Sequence, residues 1–137
     1  EVALAADYIV AAESAKFADT HSKWALTPVW GMSQRLPRRV GASTAKKMMF
    51  TAATLTASEA LRVGLAECVF PDDTFEEEIR KMCAGIVANS AFSHQANKKL
   101  LETTDGKALD AGLQWEVFAS EGRGPDMEER ISGFIKT

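Results

Sequence analysis

Cysteine, histidine and tyrosine are scarce in this chain: two, two and one among 137 residues. Cys68 and Cys83 are too few and too unpatterned for a disulfide framework or a thiolate zinc site. Both lie in apolar contexts that read as buried thiols of a cytosolic protein. His21 and His94 have no cluster of thiols or carboxylates beside them in sequence, so no metal is expected. No uninterrupted apolar run approaches the ~18 residues of a membrane span. Nor is there an excess of basic residues to draw the chain to nucleic acid or anionic lipid, because the formal net charge is −3. Repeats and low-complexity tracts are absent. What is present is an ordinary balance of 46% hydrophobic and 26% charged residues, the make-up of one folded domain or of part of a larger one. The expected partners are small molecules and other proteins.

The opening run Glu1-Val2-Ala3-Leu4-Ala5-Ala6 has neither an initiator Met nor a basic signal region and reads as the inside of a helix, so the chain is expected to be a fragment of a longer polypeptide. Asp7 to Ala12 then has the β-branched and aromatic run of a buried strand, and Ala15 to Ala18 reads as a second, very short one. Asp19 to Val29 shows no period, and Pro28 disfavours helix at Thr27, which predicts a loop. Gly31 to Arg39 is helical in pattern, with Pro37 expected to interrupt or end it and Gly41 closing the segment. Ser43 is the expected N-cap of a helix from Thr44 to Thr51, and Thr56-Ala57-Ser58-Glu59 offers cap chemistry for a helix that Gly64 ends. Cys68-Val69-Phe70 reads as a short strand stopped by Pro71. Beyond it, Phe75, Ile79, Met82, Cys83, Ile86 and Val87 share one helical face. Further helices are expected over Ala91 to Glu102, over Lys107 to Ser120, and from Pro125, where Met127, Ile131, Phe134 and Ile135 line one side.

The segments Glu1 to Asp7 and Ala11-Ala12-Glu13-Ser14-Ala15-Lys16-Phe17, followed by Pro28, Gly31 and Gln34-Arg35-Leu36, have an order and spacing that resembles the central run of the enoyl-CoA hydratase/isomerase (crotonase) family. Val40-Gly41, the methionine-bearing helix after it, Ala57 to Leu65 and Val69-Phe70-Pro71 resemble that family's later landmarks, so the similarity covers essentially the whole chain. The resemblance implies an α/β fold, the crotonase-like spiral of ββα units. Residues 1–72 would be the later part of the spiral with its active-site loop, and residues 73–137 a helical C-terminal region that packs trimers or hexamers. It also implies a cytoplasmic enzyme acting on acyl-CoA thioesters, with no cofactor beyond the coenzyme A of its substrate. In the family the first half supplies most of the spiral, one oxyanion-hole amide and much of the coenzyme A cleft, so no turnover is expected of a protein that ends with these 137 residues.

Adding water across a double bond conjugated to a thioester needs a base for the water, an acid for Cα, and N–H donors for the oxygen on which enolate charge develops. In hydratases of the family two glutamates share the proton work. By resemblance the first is Glu1, but the second position holds His21, whose imidazole, with an unperturbed pKa of roughly 6.5, both accepts and gives protons near neutral pH. Trp24, Pro28 and Trp30 fall where the family's loop borders the acyl chain, and Phe134 and Lys136 where its last helix approaches coenzyme A. Val29 replaces a glycine often found after that proline. Each residue also has a plainer reading: a charge at a helix start for Glu1, a hydrogen-bonded loop residue for His21, packing for the tryptophans. Arg35, Arg38, Arg39, Lys46 and Lys47 read as a solvated face. Three functions stay open: hydration of a 2-enoyl-CoA, another enolate reaction on the same scaffold (isomerisation, decarboxylation or C–C hydrolysis), and binding of acyl-CoA without turnover.

Overall fold

The computed structural model describes residues 1–135 and divides into two compact units, Glu1–Arg80 and a second beginning at Lys81. The first carries all four strands. The order is a 3-10 turn at Ala3–Ala5, β1 (Val10–Ala12), β2 (Lys16–Phe17), a 3-10 turn at His21–Trp24, α1 (Met32–Val40), α2 (Ala42–Thr51), β3 (Leu55–Thr56), α3 (Ala57–Arg62) and β4 (Cys68–Phe70). α4 (Phe75–Val87) follows, and then α5 (Ala91–Thr104), α6 (Leu109–Ala119) and α7 (Met127–Ile135).

Strands this short hold register through what lies between them. β1 pairs in parallel with β4, Ala11 opposite Val69, and β2 pairs antiparallel with β3, Phe17 opposite Leu55. The parallel pair needs a long crossover, and α1, α2 and α3 are contained in it. Glu67 and Arg39 fasten the crossover to the N-terminal segment. The Glu67 carboxylate accepts the Ile9 amide at 2.7 Å and the Arg39 guanidinium at 2.5 Å, while Arg39 also donates to the Ala6 carbonyl. Leu4, Ile9, Met32, Leu36, Val40, Met48, Leu55 and Leu65 form the core with small partners Ala11, Ala45, Ala57 and Ala60. Leu4 and Met32 bring the chain's first residues onto the start of α1, which seats the candidate site.

Several elements differ from expectation. The loop after Asp19 folds into the His21–Trp24 turn, closed by Ala25 in the left-handed region and a Leu26 amide bond to the His21 carbonyl. Pro37 lies inside α1 without ending it. Its missing N–H leaves only the Ser33 carbonyl unmatched, and Ser33 is on the exposed face, where water serves. Gly41, with φ 78°, replaces Ser43 as the N-cap of α2. No strand was expected at Leu55–Thr56, where β3 forms by pairing with β2. Neither cysteine is buried: Cys68 is half-buried in β4 and Cys83 is exposed on α4, a helix with no buried residue.

In the second unit, Asn89-Ser90 separates α4 from α5. Asp126 accepts from the Ser90 hydroxyl at 2.9 Å and from the Arg130 guanidinium, whose other arm donates to the Ala88 carbonyl. Arg130, which contributes most, and Ser90 hold the Asp126 carboxyl below its usual range.

Candidate active site

Glu1 is held at the start of α1 and His21 lies on the 3-10 turn that packs against α2, which sets the two face to face. Gly31, at φ 100°, takes a conformation that side chains rarely adopt, and a Cβ there would sit 2.7 Å from the Arg35 guanidinium. That conformation lets the amides on either side of Gly31 converge on one oxygen: Trp30 N–H and Met32 N–H donate to Glu1 Oε1 at 3.0 and 3.2 Å. Arg35 secures the turn by donating to the Trp30 carbonyl at 2.7 Å. Burial is the largest single influence on the Glu1 carboxyl and pushes its pKa up. The Met32 and Trp30 amides, the charge of His21 and the chain's amino terminus together outweigh it, so the carboxyl is held below its ordinary value of 4.5. Glu1 is thereby a fixed anion at neutral pH.

With Oε1 engaged, Oε2 is the oxygen turned to His21, whose Nε2 stands 3.7 Å away. That gap is too long for a direct hydrogen bond and short enough for one water to touch both atoms. The other ring nitrogen, Nδ1, lies 2.5 Å from Asp19 Oδ1, and the same oxygen accepts the His21 backbone N–H at 3.0 Å. Asp19 is buried, with 2% of its surface exposed, and is the only buried charged residue among those described. The three residues line an open cleft of about 430 Å³ with Val2, Ala3, Thr20, Trp30 and Met32. No group of three His, Cys, Asp or Glu among the described residues is arranged to hold a metal ion.

Of the remaining expected site residues, Trp30 lines this cleft and is 67% exposed, while Trp24 and Pro28 do not reach it. Trp24 projects to solvent from the 3-10 turn, and so does Val29 from the loop. Phe134 is exposed on α7 in the second unit, and Lys136 lies outside the described residues. Asp19 was missed by sequence reasoning. Its signal was present in its place two residues before His21, the spacing at which an Asp side chain turns back on the chain. The carboxylate-binding amides around Gly31 carried no side-chain signal.

Comparison with known proteins addresses the family and the fold. The sequence model of the enoyl-CoA hydratase/isomerase family matches residues 1–135. The 2,3-dehydroadipyl-CoA hydratase of Escherichia coli is 35% identical over 99% of the chain and 54% of its own length. Among solved structures, an enoyl-CoA hydratase from Bacillus anthracis superposes with a TM-score of 0.91 at 33% identity, over 97% of this chain and 52% of that one. A putative enoyl-CoA hydratase from Thermobifida fusca in complex with acetoacetyl-CoA gives 0.82 at 27% identity, over 86% and 46%. The chain spans about half the length of these proteins. The full-length family match and the close superposition confirm the crotonase-like fold read from the motif order, and the chain belongs to the enoyl-CoA hydratase/isomerase family.

Proposed function

We propose that the protein hydrates a 2-enoyl-CoA thioester to the 3-hydroxyacyl-CoA, with Glu1 and His21 holding the attacking water. The observation that carries this is the 3.7 Å approach of His21 Nε2 to Glu1 Oε2 across the cleft, with the second oxygen of Glu1 already engaged by two amides. A carboxylate pinned as an anion is a poor acid and a good orienting acceptor. The proton taken from water as its oxygen bonds to Cβ then goes to His21 Nε2, and from there to Cα of the enolate. Water thus supplies both added groups. Similarity to named acyl-CoA hydratases and to a structure holding acetoacetyl-CoA supports the thioester as substrate. Coenzyme A contacts at Phe134 and Lys136, an acyl wall at Trp30, and assembly as a trimer or hexamer are part of the same reading.

The test is crotonyl-CoA hydration by the purified full-length protein and by Glu1→Gln and His21→Ala. A loss of about 10²–10⁴-fold in kcat for each variant is expected, the usual contribution of a positioned acid or base. Full activity in His21→Ala would overturn the role given to the pair. A second reading, hydrolysis of a C–C bond in a β-oxoacyl-CoA on the same scaffold, is favoured by one feature: the Asp19-paired imidazole suits activation of water toward a carbonyl. Turnover of a β-oxoacyl-CoA with no hydration of crotonyl-CoA would select it.

A further inference from the structure

Asp19 has no part in the two-residue scheme above, yet it is the most deeply buried charge described in the molecule. A buried carboxylate is costly unless hydrogen-bonded, and both of its hydrogen bonds come from one residue, His21. The backbone bond alone would be an ordinary turn, in which an Asp side chain accepts the amide two residues on. The ring bond is additional. It uses Nδ1 and leaves Nε2 as the only imidazole nitrogen facing the cleft. The backbone of His21 is held as well, its carbonyl accepting the Leu26 amide at 3.0 Å. The residue is therefore fixed at its N–H, its C=O and one ring atom, while the remaining ring atom points at Glu1 Oε2.

We infer that Asp19 is a positioning residue that selects the Nδ1–H tautomer of His21, so that Nε2 meets the cleft with its lone pair free to take a proton from a water shared with Glu1. A carboxylate beside Nδ1–H can only accept, which forces the proton onto Nδ1 and the lone pair onto Nε2. When Nε2 takes the water proton, the imidazolium has Asp19 on one side and Glu1 on the other. The proton then leaves from Nε2 to carbon, and the Nδ1 proton stays on the ring throughout. The hydration scheme rests on the reading proposed above, whereas the tautomer assignment does not.

Two measurements on the full-length protein separate them. The first is ¹⁵N NMR of the histidine rings in the resting protein, with His21 assigned from His21→Gln. The expected pattern is protonated Nδ1 and unprotonated Nε2, shifting toward the Nε2–H form in Asp19→Asn, whose –NH2 in the place of Oδ1 donates to Nδ1 and no longer accepts the backbone N–H. An Nε2–H tautomer in the wild type overturns the inference whatever the substrate proves to be. The second is the kinetics of Asp19→Asn with crotonyl-CoA, where a fall of about 10²-fold or more in kcat with KM within about twofold is expected. A kcat equal to that of the wild type would leave Asp19 a turn residue only. Should Asp19→Asn fail to fold, the wild-type ring pattern still decides. Should the wild type hydrate no enoyl-CoA but show the Nδ1–H pattern, the hydration scheme fails and the positioning role stands.

Discussion

A single backbone angle carries much of the candidate site. Gly31 at φ 100° aims two amides at Glu1 Oε1, and those amides help keep the carboxyl ionised against the opposing effect of burial. Gly31→Ala meets one main obstacle, the left-handed region, which costs a non-glycine residue about 1–2 kcal/mol, while the Arg35 guanidinium at the end of its flexible side chain must swing away from the new Cβ. Folding stability should drop by about that amount in a urea titration. The amides should also turn away from Glu1, raising its pKa toward the ordinary value. The sign follows from the direction of the shift. A carboxyl depressed in the folded protein stabilises it above the unfolded pKa, and that contribution disappears as pH falls through the folded one. The Glu1 carboxyl, followed by ¹³C NMR, is therefore expected to titrate below pH 4.5 in the wild type and at higher pH in Gly31→Ala. A midpoint that stays in place would mean that the amides do not set the ionisation of Glu1.

At the scale of elements, the most legible device is the capping box of α3. The Glu59 amide donates to the Thr56 hydroxyl at 3.3 Å, and the Thr56 amide donates to the Glu59 carboxylate at 2.9 Å. The Thr56 amide first, and its hydroxyl second, hold the Glu59 carboxyl below its usual range. Thr56→Ala removes one arm of the box and should cost about 1 kcal/mol. The difference from wild type is expected to be largest at neutral pH and smaller in acid, where Glu59 protonates in both proteins; urea midpoints at two pH values check it. Such caps were readable because Thr56, Glu59 and Gly64 announce themselves by residue type. The same holds for α4, where Phe75, Ile79 and Met82 recur at helical spacing, and for the family landmarks around Gln34-Arg35-Leu36. Pro37 misled because its effect depends on which face its orphaned carbonyl lies on, a tertiary fact. In the candidate site, Glu1 and His21 were legible through motif order. Their 3.7 Å approach was not, because it depends on Leu4 and Met32 packing and on the angle at Gly31. Asp19 stayed hidden for a related reason: nothing in a lone Asp of a loop says that it will be buried.

For the whole molecule, the distribution of apolar surface poses the open question. Every residue of the core belongs to the first unit, whereas α4 to α6 contain no buried residue and α7 carries Phe134 at 83% exposure. Leu109, Leu113 and Val117 recur at four-residue steps on α6 with 79%, 55% and 81% of their surface open to water. A row of this kind is more than isolated exposed side chains, and burying each Val or Leu is worth about 1.5–3 kcal/mol. Assembly as a trimer or hexamer is part of the reading above; with the α6 row as its contact, replacing two of the three residues removes the equivalent of about 3 kcal/mol or more. Each 1.4 kcal/mol is tenfold in affinity, so Leu109→Lys combined with Val117→Lys should weaken association by about 10²-fold or more. Sedimentation equilibrium of the full-length protein should give a trimer or hexamer for the wild type and a shift toward monomer for the double variant. The circular dichroism of the double variant should stay helical, because neither residue contributes to the core around Leu36. A wild-type monomer, or a double variant that associates as tightly as the wild type, would exclude the α6 row as the contact. Hydration activity measured alongside then says whether the Glu1/His21 cleft works within one subunit or only in the assembly.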